Sequence, residues 1–166
     1  FVGGKTFGGL PIYGYTTHPN RNTGSPIVGA WSASARTGAE VLADYLKMKA
    51  GLEADNMYGP YVLYIPRNCS TKFDEDFKAN SDLSIRQRLL LDPALLDIRI
   101  ADRLTADNYL LVQMTRDVVL WLDGESLQTV MWDIQGGMRI NFKAFQIGIP
   151  LIRADYSGRS GIYHMS

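Results

Sequence analysis

The stretch "QGGMRINFKAFQIGIP", Gln135 to Pro150, decides how this chain is read. From Met138 to Lys143 apolar and polar residues alternate, the period of a strand with one face toward a core and one away from it. Gly136 and Gly137 supply the positive φ that a tight turn needs. "LQTVMWDI", Leu127 to Ile134, stands before them as a matching arm, so the pattern predicts a hairpin with long arms. Arg139, Asn141 and Lys143 fall on one face of the second arm, and Met138, Ile140 and Phe142 on the other. After Phe142 the alternation gives way to "AFQIGIP", as in a strand buried on both sides. The polar trio has no acid–base partner, metal spacing or nucleophile beside it in sequence. It therefore reads as the solvent or partner face of a strand, not as a reactive site.

Upstream of the hairpin the period is also two. Leu96, Ile98 and Ile100 alternate with Asp97 and Arg99, "NYLLVQM" (Asn108–Met114) and "DVVLWL" (Asp117–Leu122) read as strands, and Asp123-Gly124 reads as a turn. Before Leu95 the chain reads as helical with one strand. Thr37 and Glu40 have capping-box spacing, and Val41, Leu42, Tyr45, Leu46, Met48 and Leu52 follow at helical spacing. "GPYVLYIP", Gly59 to Pro66, is β-branched, aromatic and bounded by breakers, so it predicts a buried strand. Asn68 or Ser70 is placed to cap a short helix carrying Phe73 and Phe77, with Asp74, Glu75 and Asp76 on its outer face. A third helix is expected over Ser84–Leu91, with Ile85 and Leu89 inward, stopped by Pro93. Residues 1–30 are rich in Gly, Pro, Thr and Asn and predict a loop-rich arm with one short strand at Leu10–Tyr15. Helices first and strands later make an α+β chain.

The 166 residues suffice for one domain with a core. Apolar residues are 46% and charged residues 20%, the balance of a globular chain. No apolar run approaches the roughly 18 residues of a membrane helix, so no membrane partner is expected. A single cysteine, Cys69, excludes an internal disulfide. The net charge is zero, but residues 1–36 carry three bases and no acid, and residues 37–82 carry five bases and eight acids. Basic ends around an acidic middle argue against a strongly basic nucleic-acid binder and permit head-to-tail attraction between copies.

The motifs that carry chemistry fail on inspection. "GGKT", Gly3 to Thr6, is followed by "FGGLP", which cannot start the helix of a phosphate-binding loop. "YSGRSGI", Tyr156 to Ile162, has Ile162 where a serine elbow needs its second glycine. His18 and His164 stand alone near opposite ends and read as loop-surface histidines, without metal spacing. Cys69 reads as a helix-start thiol of ordinary reactivity. Tyr58, Tyr61 and Tyr64 lack the interleaved bases of a nucleic-acid stacking platform. No catalytic, metal or cofactor residue is expected.

What remains is an ordered series: "MYGPYVLYIP", the acidic "KFDEDFK", "IRIADRLTADNYLLVQMTRDVVLWLDG", and "TVMWDIQGGMRINFKAFQIGIPLIRADYSGRSGI". Over roughly residues 10–163 this series resembles the shell proteins of tailed-phage major capsids and encapsulins, whose fold is named after phage Hong Kong 97. The resemblance implies a loop-rich arm over 1–33, an axial-type α/β domain over 34–126, and over 127–166 the hairpin of a peripheral-type domain with a C-terminal loop. It implies a structural protein, not an enzyme, whose partners are copies of itself and whose contents are packaged DNA in a phage capsid or cargo protein in an encapsulin. The expected location is a virion capsid, or the bacterial cytoplasm as a shell particle. Arg139, Asn141, Lys143, Arg153, Asp155 and Arg159 are the expected subunit-interface residues. In that family a long spine helix and an extended loop precede the Gly-rich arm. Because the sequence begins at Phe1, it is expected to be the C-terminal part of a larger subunit, with Met138, Ile140 and Phe142 on the face the spine would cover. A reading of another class is a small hydrolase using Asp155, Ser157, Arg159 and Ser160, which requires those groups to converge with His164.

Overall fold

A computed structural model describes residues 4–166 of the chain. Its centre is a helix, α1 (Gly38–Ala54), packed on a mixed sheet. Thr37 caps α1 as its spacing predicts: its hydroxyl accepts from the Glu40 N–H, and the Glu40 carboxylate accepts from the Thr37 N–H. Val41, Tyr45, Met48 and Leu52 are buried along its inner face, whereas Leu46, expected there, is exposed and Leu42 half-buried.

The sheet has five strands: β3 (Asn22–Gly24), β4 (Tyr61–Ile65), β5 (Leu95–Ile100), β6 (Tyr109–Gln113) and β9 (Ile162–Met165). Their spatial order is β3-β9-β6-β4-β5. β6 runs antiparallel to β4 and β9, while β3–β9 and β4–β5 are parallel. β4 is buried on both faces because its alternate side chains enter two cores. Tyr61, Leu63 and Ile65 meet α1 and the stacked pair Trp31–Tyr109, while Val62 and Tyr64 join Leu110, Val112 and Ile162 on the far side. Among the described residues two further strands, β7 (Val119–Ile134) and β8 (Arg139–Ile152), pair only with each other. The first 33 residues, expected to be a loop-rich arm with one short strand at Leu10–Tyr15, instead carry a small hairpin of β1 (Lys5–Phe7) and β2 (Leu10–Ile12) and then β3. Trp31 enters the core, because β9 supplies a ladder for β3 and Tyr109 a ring for Trp31. Gly3 of "GGKT" lies outside the described residues, and Lys5 and Thr6 form a strand, not a helix start.

Several expectations are corrected. The helix expected to carry Phe77 ends early, as a 3-10 turn (Arg67–Cys69) followed by α2 (Ser70–Phe73), and no side chain caps it. Phe77 lies in the following loop, closed by its N–H to the Leu83 carbonyl. It packs on α1, where a Cβ added at Gly38 would meet the Phe77 ring at 2.7 Å. Asp74, Glu75 and Asp76 are therefore loop residues, and their short polar side chains favour local turns over helix. The third helix, α3 (Ile85–Leu90), is capped by Ser84 and Gln87, as its predicted start implies. In β5 the buried residues are Leu95 and Ile98, not the alternating set, because a bulge opposite Tyr61/Val62 turns Leu96 outward. Asp123-Gly124 is no turn: β7 runs through it with two bulges. The Asp123 carboxylate is held there by the Trp121 indole N–H and the Gln146 amide. The end of the chain, read as loop, is β9, a fully buried inner strand.

Candidate assembly surface

The β7–β8 hairpin has strands of 16 and 14 residues and spans roughly 45 Å at the usual strand rise. It turns through Gln135–Met138, with positive φ at Gln135, Gly136 and Gly137. Among the described residues only its base joins the core. Val119 and Ile152 pair there beside Val118 and Tyr64, and the Arg153 N–H donates to the Val118 carbonyl. Just above, the Trp121 ring lies over Gly148, where a Cβ would come within 2.6 Å of it, so only glycine lets the indole close down on the ladder.

Away from the base both faces are open. Directly opposed residues of an antiparallel pair share a face, and the register places Arg139 opposite Ile134, Asn141 opposite Trp132 and Lys143 opposite Val130. The face of the polar trio is thus half apolar, with Val130, Trp132 and Ile134 each about two-fifths exposed. The other face carries Ile140 opposite Asp133 and Phe142 opposite Met131, with Met131 63% and Phe142 68% exposed. Met138, at the turn, is 90% exposed. "AFQIGIP", expected to be buried on both sides, is open too: Ile147 and Ile149 are exposed. Among the described residues, twelve of the 25 exposed large hydrophobic side chains sit on this hairpin, so its exposed apolar area is a concentration and not background. The outer edges of β7 and β8 pair with no other strand of the described residues.

The six residues expected at a subunit contact fall into two groups. Arg139, Asn141 and Lys143 share one face of β8; Arg139 and Lys143 are exposed, Asn141 is half-buried, and the Lys143 ammonium lies 5.7 Å from the Phe145 ring centre. Arg153, Asp155 and Arg159 belong to a tight turn that follows β8. Asp155 accepts from the Arg159 N–H at 2.7 Å, and the Arg159 guanidinium reaches Asp55, at the C-terminal end of α1, at 3.5 Å. Tyr156, at the tip of this turn, is fully exposed.

The hydrolase constellation does not form. Ser160 is buried and donates to the Asn20 carbonyl, while both ring nitrogens of His164 are engaged by Asn108 and Arg21. His18 and His164 are buried, not loop-surface residues. Cys69 is buried beside the Tyr109 hydroxyl, and burial pushes its thiol pKa up, away from the reactive thiolate. No cluster of three or more potential metal-ligating side chains occurs among the described residues. No helix there is long and apolar enough to cross a membrane.

Solved structures share this fold. A virus-like particle from Pyrococcus furiosus matches with a TM-score of 0.67 at 14% sequence identity, over 92% of this chain and 58% of the other. The chain thus spans little more than half the length of that shell protein. No protein-family model matches it, and no curated protein sequence does. The α+β arrangement is therefore similar in fold to that of the virus-like particle. Two features of this surface were not legible in the sequence: the apolar half of the trio's face, and the return of the chain end into the sheet. The first arises from cross-strand register, which a single strand's period does not contain.

Proposed function

We propose that this chain is the shell-forming part of a structural subunit that assembles with copies of itself into a closed particle. The observation that carries the reading is the β7–β8 hairpin: a long, regular arm, anchored only at its base, with apolar side chains exposed on both faces. The similarity of fold to a virus-like particle supports it. In this reading residues 34–126, joined by β3 and Trp31 of the first 33 residues, form an axial-type unit around symmetry axes, residues 127–166 carry the peripheral-type hairpin, and the β1–β2 part of the 1–33 arm lies on a neighbour. Contacts repeated by symmetry need little free energy each, so a neutral chain with a basic first segment and an acidic second one suits head-to-tail packing.

The test is negative-stain electron microscopy of the purified full-length product at physiological salt. Round particles of uniform diameter are expected; a monodisperse monomer at micromolar concentration refutes the proposal. The co-purifying material identifies the contents: nucleic acid for a phage-type capsid, a bound protein for an encapsulin-type compartment.

A further inference from the structure

The two histidines, left without a role by the hairpin, meet around one arginine. His164 lies on β9, 8% exposed, with its Nε2 2.7 Å from the Asn108 Oδ1 and its Nδ1 accepting from the Arg21 Nε–H at 3.3 Å. His18 is equally buried and accepts at Nδ1 from the Asn20 N–H at 3.3 Å. Arg21 closes the set by donating from Nη1 to the His18 carbonyl at 2.8 Å. Just after Arg21 the chain enters β3, whose three residues pair with Tyr163, His164 and Met165. β3 is short and its sequence, Asn-Thr-Gly, brings little apolar area, so this edge depends on the polar set beside it.

Each imidazole accepts a hydrogen bond at Nδ1, so each is neutral with its proton on Nε2. Adding a proton at His164 Nδ1 converts an acceptor to a donor, loses the Arg21 bond and places two cations in contact. A proton at His18 Nδ1 loses the Asn20 bond and adds a third positive charge. The nearby carboxylates are engaged elsewhere: Asp55 by Asn22 and Arg159, Asp107 by Ser32, Asn68 and the Tyr109 hydroxyl. Among the described residues neither bonds an imidazole, and the Tyr13 ring stands near-perpendicular to the His18 ring at 5.9 Å.

We propose that His18, Arg21 and His164 form an acid-released clamp that holds the arm segment through β3 against the edge of the five-stranded sheet. Release would uncover the β9 edge and free the chain before β3, which the shell reading places on a neighbour; the clamp itself does not depend on shell formation. Burial and the Arg21 charge hold both imidazoles below the ordinary histidine range. The contribution of the clamp is therefore fully present above about pH 6.5 and is lost as the pH falls from there through the lower folded values.

Amide exchange of the purified chain, corrected for the intrinsic pH dependence of the chemistry, tests this. Between pH 7.5 and 5.5, protection of the β3 amides and of Ser166, which donates to the Gly24 carbonyl, is expected to fall by about tenfold or more. β4 amides are expected to hold. Glutamine can reproduce the acceptor without titrating, so H18Q/H164Q should abolish the fall. Imidazole ¹⁵N shifts of the unmodified chain give a second reading that needs no variant: both rings should be Nε2–H tautomers at pH 7.5. Protection at β3 that is unchanged at pH 5.5, a fall that persists in the double variant, or an Nδ1–H tautomer at either ring overturns the proposal.

Discussion

Met131 and Phe142 are directly opposed on one face of the hairpin and separate folding from assembly in a single experiment. In the isolated chain Met131 is 63% and Phe142 68% exposed, so truncating them removes little that folding has buried. Replacing both by serine should cost the free chain less than about 1 kcal/mol, the range of one cross-strand pair. The loss is different if a neighbour covers this face. Full burial of a large apolar side chain contributes about 1.5–3 kcal/mol, and roughly two-thirds of each is still uncovered here. Covering both would contribute about 3 kcal/mol per contact, more than a hundredfold in the association constant of each interface. M131S/F142S should therefore unfold at nearly the parent denaturant midpoint yet fail to form particles at concentrations where the parent does. The assay is urea unfolding followed by fluorescence, beside sedimentation velocity of the same samples. Normal particles at the parent's threshold concentration would refute the reasoning, because this face would then not be an interface. A midpoint shifted by several kcal/mol would refute it differently, by showing that the pair belongs to the fold.

Three other perturbations test separate parts of the structure. Arg139→Glu with Lys143→Glu should block particle formation while the monomer stays folded, and particles of normal size by electron microscopy would remove this face from the interface. Thr37→Ala should destabilise the chain by about 1 kcal/mol through loss of the cap on α1, read as a lower unfolding midpoint. Asp44→Ala should cost about 3–5 kcal/mol. The Asp44 carboxylate is wholly buried and accepts from Arg36, the Trp31 indole and the Ile27 N–H, so its loss leaves the buried guanidinium with only the longer 3.7 Å ion pair to Glu40. D44A/R36M should recover part of that loss, and a double variant less stable than D44A would show that the poorly paired guanidinium was not the cause.

The sequence is legible where one residue's neighbours in the chain decide its state. Thr37 and Glu40 are three apart and cap a helix in isolation, and "YVLYI" is apolar throughout because β4 has cores on both sides. It is illegible where the partner is distant. "NTG" of β3 has no apolar signal, and its strand state comes from a parallel ladder with residues some 140 positions away. "IYHM" of β9 contains a histidine that reads as surface until Asn108 and Arg21 are brought to both its nitrogens. Asp123-Gly124 has the composition of a turn, and cross-strand bonds from Gln146 and the Trp121 indole keep it in a strand. The candidate interface residues divide the same way. Their alternation on β8 is visible in the sequence, but the tie of Arg159 to Asp55 requires the fold.

The register also changes what kind of contact the hairpin suits. A hairpin with one apolar face lies on a surface and leaves its polar face in water, which is how "MRINF" reads alone. Here Trp132, Val130 and Ile134 share the face of Arg139 and Lys143, and Met131, Ile140 and Phe142 occupy the other. Two-stranded hairpins are marginal by themselves, so this one relies on its anchored base, where Val119 and Ile152 enter the core and Trp121 closes on Gly148. Covering one face by a single neighbour would leave an apolar stripe on the other. In the shell reading the hairpin therefore belongs between two surfaces, with the basic side chains at the margin of one of them. Serine substitution of the Met131/Phe142 pair and of the Val130/Trp132 pair should then weaken assembly independently, since the two pairs face different neighbours.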